Sequence, residues 1–198
     1  MCFTPYAIFE SDGKYRYRTE TYLSLTKELK KEKRCIGAII MMNPGSSEPK
    51  EKVKEGKLTK TEPDNTMKQI EKCVVEAYGD KKPEEGYIQI FNLFNLKKPD
   101  PKEAVKIYNN NKKSPHMESP IKIKEGTPWV WLAWFCGYPE LDDRRKSIYR
   151  EIISKNKIVK VPCKNGKDLR FWHPKPPTSE QQTEIINKIA PQISKLII

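Results

Sequence analysis

The chain has 198 residues, 36% of them hydrophobic and 32% charged, and its 38 Lys and Arg exceed its 26 Asp and Glu for a formal net charge of +12. That length suits one core rather than two, and apolar residues gathered into short dense runs exclude a disordered chain. The positive excess favours polyanionic partners, nucleic acid first, although a lysine-rich solvated surface gives the same charge.

Cys2, Cys35, Cys73, Cys136 and Cys163 are odd in number and far apart, with no C-x-x-C pair to hold zinc or an iron-sulfur cluster. They read as reduced thiols of a cytoplasmic protein without metal or other cofactor. No signal peptide opens the chain and no apolar run approaches ~20 residues, so the expectation is a protein neither secreted nor membrane-spanning.

In chain order, Tyr15-Arg16-Tyr17-Arg18 follows the turn signal Ser11-Asp12-Gly13 and alternates aromatic with cationic residues. That period of two predicts a half-exposed strand in an edge hairpin. Cys35 to Met42 is a continuous apolar run, the mark of a strand buried on both faces, and Asn43-Pro44-Gly45 ends it. Residues 47–63, rich in Lys, Glu, Pro and Gly, read as an exposed loop. Asp64-Asn65-Thr66 supplies an N-cap, and Met67, Ile70, Val74 and Ala77 continue at helical spacing to Gly79.

Gly86 to Phe94 is the second core strand, and Pro101 to Tyr108 begins a helix. Residues 109–128 have no clear period and read as loop. Trp129 to Phe135 is the third strand, Asp142 to Ser154 an amphipathic helix, Lys157 to Cys163 a weaker fourth strand, and Ser179 to Ile197 a last helix with a kink expected at Pro191. Alternating strands and helices predict one α/β domain over residues 1–198: a three-layer α/β/α fold on a central, mainly parallel four-stranded sheet, with the N-terminal hairpin at its edge.

Ligands of such sheets bind beyond the carboxyl ends of the strands, so the loops there carry the candidate site. Asn43 precedes a proline, which fixes its direction, and Gly45 lets a ligand approach the backbone; a simple strand-stopping turn has the same sequence. Asn92 stands at an apolar strand end, where its amide must bond a neighbouring loop or a ligand, and an amide suits a base edge. His173, in Phe171-Trp172-His173-Pro174, can donate to a developing anion or serve structure alone. His116 has no visible partner and reads as surface.

Met42-Asn43-Pro44-Gly45, then Asn92, then His173-Pro174-Lys175-Pro176 resembles, in that order, the uracil-DNA glycosylase superfamily: the first loop is similar to its G-x-N-P-G motif and the last to H-P-S-P. The chain is more similar still to the DUF1643 family, which carries no assigned activity, through Tyr15-Arg16-Tyr17, Met42-Asn43-Pro44, Asp64-x-Thr66, Asn92-Leu93-Phe94, Ala133-Trp134 and His173-Pro174. The resemblance implies an N-glycosylase on a modified or damaged base in DNA, single strands included. Asn43 would position water at the sugar C1′, Asn92 would read a flipped base, His173 would stabilise the departing base anion, and Phe94 would stack on the base, with Met42, Pro44, Gly45, Pro174 and Lys175 completing the pocket.

Departures from the pattern imply changes in chemistry. Asn43 stands where the fastest branch has aspartate, which implies slow water activation by positioning. Gly45 replaces a tyrosine that screens out 5-substituted pyrimidines, Met41 replaces a glycine, and Lys175 and Pro177 replace a serine and a duplex-wedging leucine. A hydrolase of free nucleosides or nucleotides, and a non-catalytic nucleic-acid or nucleotide-binding module, are the alternative readings.

Overall fold

A computed structural model describes residues 2–50, 52–135, 137–163, 169, 171–174 and 178–197. Alternation begins before Tyr15: in Thr4–Ser11 (β1) every second residue is buried. The chain turns at Asp12, whose Oδ1 accepts the N–H groups of Lys14 (3.0 Å) and Tyr15 (2.7 Å), and returns as Arg16–Ser24 (β2). Cys35–Met41 (β3) is buried at every residue, as a strand flanked on both faces requires. Leu58–Lys60 (β4), Tyr87–Asn92 (β5), Val130–Leu132 (β6) and Ile158–Lys160 (β7) complete one sheet in the order β4-β1-β2-β5-β3-β6-β7.

The segment β5-β3-β6-β7 is parallel, and β2, β1 and β4 add to it antiparallel. The expected four-stranded sheet with an edge hairpin is therefore corrected to seven strands. The hairpin is internal, because β2 pairs with β5 and β1 with β4. The edge strand β4 lies inside residues 47–63, expected to be loop. It pairs through its backbone and has no buried residue, so hydrophobic patterning gives no sign of it. The third and fourth strands are also shorter than the apolar runs that announce them.

Asn65–Tyr78 (α1), Pro101–Asn110 (α2), Asp142–Ile153 (α3) and Ser179–Ser194 (α4) are the helices. Asp64 caps α1 by accepting the Met67 N–H at 2.9 Å, and Gly79 ends it at φ +49°. Asp100 caps α2, with Pro101 in the first turn. Met67, Ile70 and Val74 of α1 pack with Ile185, Ile189 and Ile193 of α4 against Ile39, Ile88 and Ile90 of the sheet. On its other face, Val105 and Tyr108 of α2 join Ile148 and Ile152 of α3 over Ile40, Val130 and Leu132. The helix α4 continues through Pro191 to Ser194.

Two further expectations are corrected. Cys163, three residues beyond β7, is disulfide-bonded, while Cys2, Cys35 and Cys73 are free. Distance along the chain does not limit proximity once strands pair, so spacing concealed this bond. His116 pairs through Nδ1 with Glu10 and packs its ring 5.5 Å from that of Tyr17. Among the described residues, no helix is long and apolar enough to cross a membrane.

Gly37 faces the fully buried Trp129, and a Cβ at Gly37 would lie 2.0 Å from its ring. The ring's Nε1 is 3.4 Å from Tyr78 Oη, which donates to Ile36 O at 2.9 Å, so moving the indole away would break a buried hydrogen bond. Gly37→Ala is expected to lower unfolding free energy by about 3 kcal/mol, read by urea denaturation. A loss below about 0.5 kcal/mol would show that the Trp129 contact yields.

Candidate functional site

Beyond the carboxyl end of β3 lies a cleft of about 260 Å³. Met41, Met42, Asn43, Gly45 and Ser46 form one wall, and the start of α1, Asp64 to Thr66, forms another. Pro99 and Pro101, at the entry to α2, face Phe135 and His173 from the loops after β6 and β7. Asn43 and His173, far apart in sequence, thus share one cavity, as do Met42 and Gly45.

The amide of Asn43 is fixed by its donor end. Nδ2 donates to Pro44 O at 3.1 Å and to Lys98 O at 3.0 Å. Two carbonyl oxygens can be met only by the NH₂ group, which settles the amide's orientation. No hydrogen bond among the described residues uses Oδ1, so the acceptor end is left for a solvent or ligand proton.

The cleft's aromatic surface comes from Phe135, not from Phe94. Phe94 is fully buried and stacks on Tyr108 with ring centroids 4.6 Å apart, so it belongs to the core. Phe135 is 37% exposed and meets the His173 ring edge-on at 6.2 Å and 71°. Its backbone is left-handed at φ +76°, and Tyr138 follows at φ +62°. Non-glycine residues adopt this region at a cost of about 1–3 kcal/mol each and need surroundings that hold them there.

Arg145 of α3 does the holding. Its side chain is fully buried, with Nη1 donating to Tyr138 O (3.0 Å) and Asp142 Oδ1 (2.7 Å), and Nη2 donating to Phe135 O (3.3 Å) and Gly137 O (2.7 Å). The neighbouring Arg144 performs a similar task for the loop after β5, donating to Leu93 O and to Ser119 O, each at 3.2 Å. The charged run Asp142 to Lys146 resembles a solvated helix face, and the one sign that Arg145 is buried is its spacing, three and seven residues before Ile148 and Ile152 on the inner face of α3.

Asn92 stands outside the cleft's lining but beside it, since it pairs in register with Met41. It is 6% exposed, and its Oδ1 has no hydrogen-bond partner among the described residues. The polar work expected of it in the loop falls to Asn95, whose Nδ2 donates to His116 O (3.0 Å) and Ser119 Oγ (2.8 Å). Pro44 and Pro174 are buried beside the cleft without lining it, and Lys175 lies outside the described residues. Among the described residues, no lysine or arginine lines the cleft.

Replacing Arg145 by methionine would take the guanidinium donors from the carbonyls of Phe135 and Gly137 and leave Tyr138 O with the Leu141 N–H alone, at 3.1 Å. The expected loss is about 3 kcal/mol of unfolding free energy by urea denaturation, with faster backbone amide exchange in residues 137 and 138. A variant as stable as the parent would mean that these carbonyls reach water and that the left-handed turn needs no clamp.

Compared with protein-family models, with curated proteins and with solved structures, the chain matches none.

Proposed function

We propose that this protein is an N-glycosidase acting on a nucleobase, of the uracil-DNA glycosylase-like kind and close to the DUF1643 family, and that it works on a modified or damaged base in DNA. One observation carries the reading: Asn43 and His173 line the same cleft at the strand ends, with the exposed ring of Phe135 between the loops. Glycosidic hydrolysis needs a placed water, a donor aimed at the leaving group and a surface for a flat ring.

In this mechanism Asn43 Oδ1 accepts a hydrogen bond from water and holds its oxygen toward C1′. The C1′–N bond breaks and its electron pair leaves with the base, to which the His173 imidazole donates, while the water oxygen bonds to C1′ and its proton is released to solvent. The cavity of about 260 Å³ lies near the lower end of small-ligand pockets, which begin at about 300 Å³, and so suits one base better than an extended ligand.

A second reading, hydrolysis or binding of a free nucleoside or nucleotide in a cytoplasmic setting, is favoured by the absence of cationic side chains from the described lining of the cleft. The net charge of +12 favours DNA.

Single- and double-stranded oligonucleotides carrying uracil, hypoxanthine or a 5-substituted pyrimidine, together with the corresponding free nucleosides, test the proposal. Base release is measured by alkaline strand cleavage and by chromatography. His173→Ala and Asn43→Ala are each expected to slow release by about 10²-fold or more. Release that both variants leave unchanged would remove these residues from the mechanism, and no release from any substrate would overturn the N-glycosidase reading.

A further inference from the structure

Asp64 belongs to the cleft wall, yet the mechanism above gives it no task. It is the only carboxylate among the described lining residues. Its Oδ1 is held by the Met67 N–H at 2.9 Å, which fixes the plane of the group. Its Oδ2 is turned toward Gly45, lying 3.3 Å from where a Cβ on that residue would stand. Glycine at position 45 therefore leaves this oxygen uncovered, in the loop that carries Asn43.

Arg18 of β2 is 0% exposed, and none of its three guanidinium nitrogens has a hydrogen-bond partner among the described residues. Burial lowers its pKa to about 10, against the opposing fields of Asp64 and Glu48, so it remains cationic at neutral pH. A buried, unpaired cation is costly, and a fixed anion nearby is the means of offsetting it. Glu48 is already engaged by Arg16 and Lys97, whereas Asp64 forms no ion pair among the described residues. Arg18 thus stands as countercharge to a carboxylate that faces the cleft.

We propose that Asp64 is the general base of the site, taking the proton from the water that Asn43 Oδ1 holds in place. This assignment rests on the N-glycosidase reading and deepens it. The water donates one hydrogen to Asn43 Oδ1 and the other to Asp64 Oδ2, leaving a lone pair for C1′. As the C–O bond forms, that second proton passes to Oδ2, while the C1′–N electron pair departs with the base and is met by His173. The proton then leaves Oδ2 for solvent. The same carboxylate faces the positive charge that develops on the sugar ring.

The test exploits the fact that an N-cap does not need a charge. Asn and Ser cap about as well as Asp, so Asp64→Asn and Asp64→Ser should keep α1, with a urea midpoint lowered only by the field that Arg18 loses, and circular dichroism checks that both are folded under the assay conditions. With the oligonucleotides above, both are expected to lower kcat by 10²- to 10⁴-fold, with KM changing far less. The second measurement is turnover-independent: binding of a pyrrolidine-based cationic analogue of the 2-deoxyribosyl ring, followed by calorimetry, is expected to weaken about tenfold in Asp64→Asn.

Equal hydrolysis by parent and variants overturns the assignment while the N-glycosidase reading stands. Equal cation binding in parent and Asp64→Asn overturns it whether or not base is released. Asp64-dependent cation binding without hydrolysis of any substrate overturns the N-glycosidase reading, and general-base catalysis with it, and leaves Asp64 as the charged recognition group of the cleft.

Discussion

The loops beyond the parallel strands are governed by one requirement: backbone carbonyls that leave the ladder inside a protein must find donors. Backbone N–H groups serve some of them, such as Met41 O and Met42 O, and side chains serve the rest. Asn43 serves Pro44 and Lys98, Arg144 serves Leu93 and Ser119, and Arg145 serves Phe135, Gly137 and Tyr138. These bonds tie the loops after β3, β5 and β6 to neighbouring elements at the carboxyl end of the sheet. The left-handed turn at Phe135 is held because the carbonyls of Phe135, Gly137 and Tyr138 converge on one guanidinium.

Charge is used in two ways. Most of the lysine excess is exposed and pairs, where it pairs, with surface glutamates; such pairs contribute at most about 1 kcal/mol each. Arg145 and Arg18 are instead fully buried. Arg145 is matched to carbonyls and to Asp142, and its geometry explains its presence. Arg18 has no such match, so its burial is explained only by the electrostatics of its surroundings. Removing water from a guanidinium without pairing it costs several kcal/mol, which stability alone would not retain.

Legibility in the sequence followed the physics of each element. A strand buried on both faces must be apolar throughout, and β3 is apparent for that reason, while β5 is apparent from the apolar residues around Gln89. Helices with caps, such as Asp64 to Gly79, announce their ends. The strand β4 was hidden because backbone pairing at an edge makes no demand on side chains. The cleft was legible at Asn43 and His173, the one a polar residue that ends an apolar run and the other a polar residue in an aromatic, proline-rich loop. Phe135 was not, because an aromatic residue ending a run of aromatics looks like core, and its exposure depends on a turn set by an arginine on another element. Phe94 was assigned to the site for the complementary reason: it follows a strand-end asparagine, but the chain there turns its ring inward onto Tyr108.

The asparagine at position 43 is itself a consequence of the carbonyl requirement. With Nδ2 held 3.0 to 3.1 Å from two carbonyl oxygens, an aspartate in the same rotamer would set a carboxylate oxygen against both, replacing two hydrogen bonds with two repulsions. The loop can therefore carry an acceptor toward the cleft only on a side chain whose other end donates, and that side chain is an amide. A negative charge in this cleft has to come from an element whose exposed polar groups are N–H and not C=O. The first turn of a helix is such an element, and Asp64 stands at the start of α1.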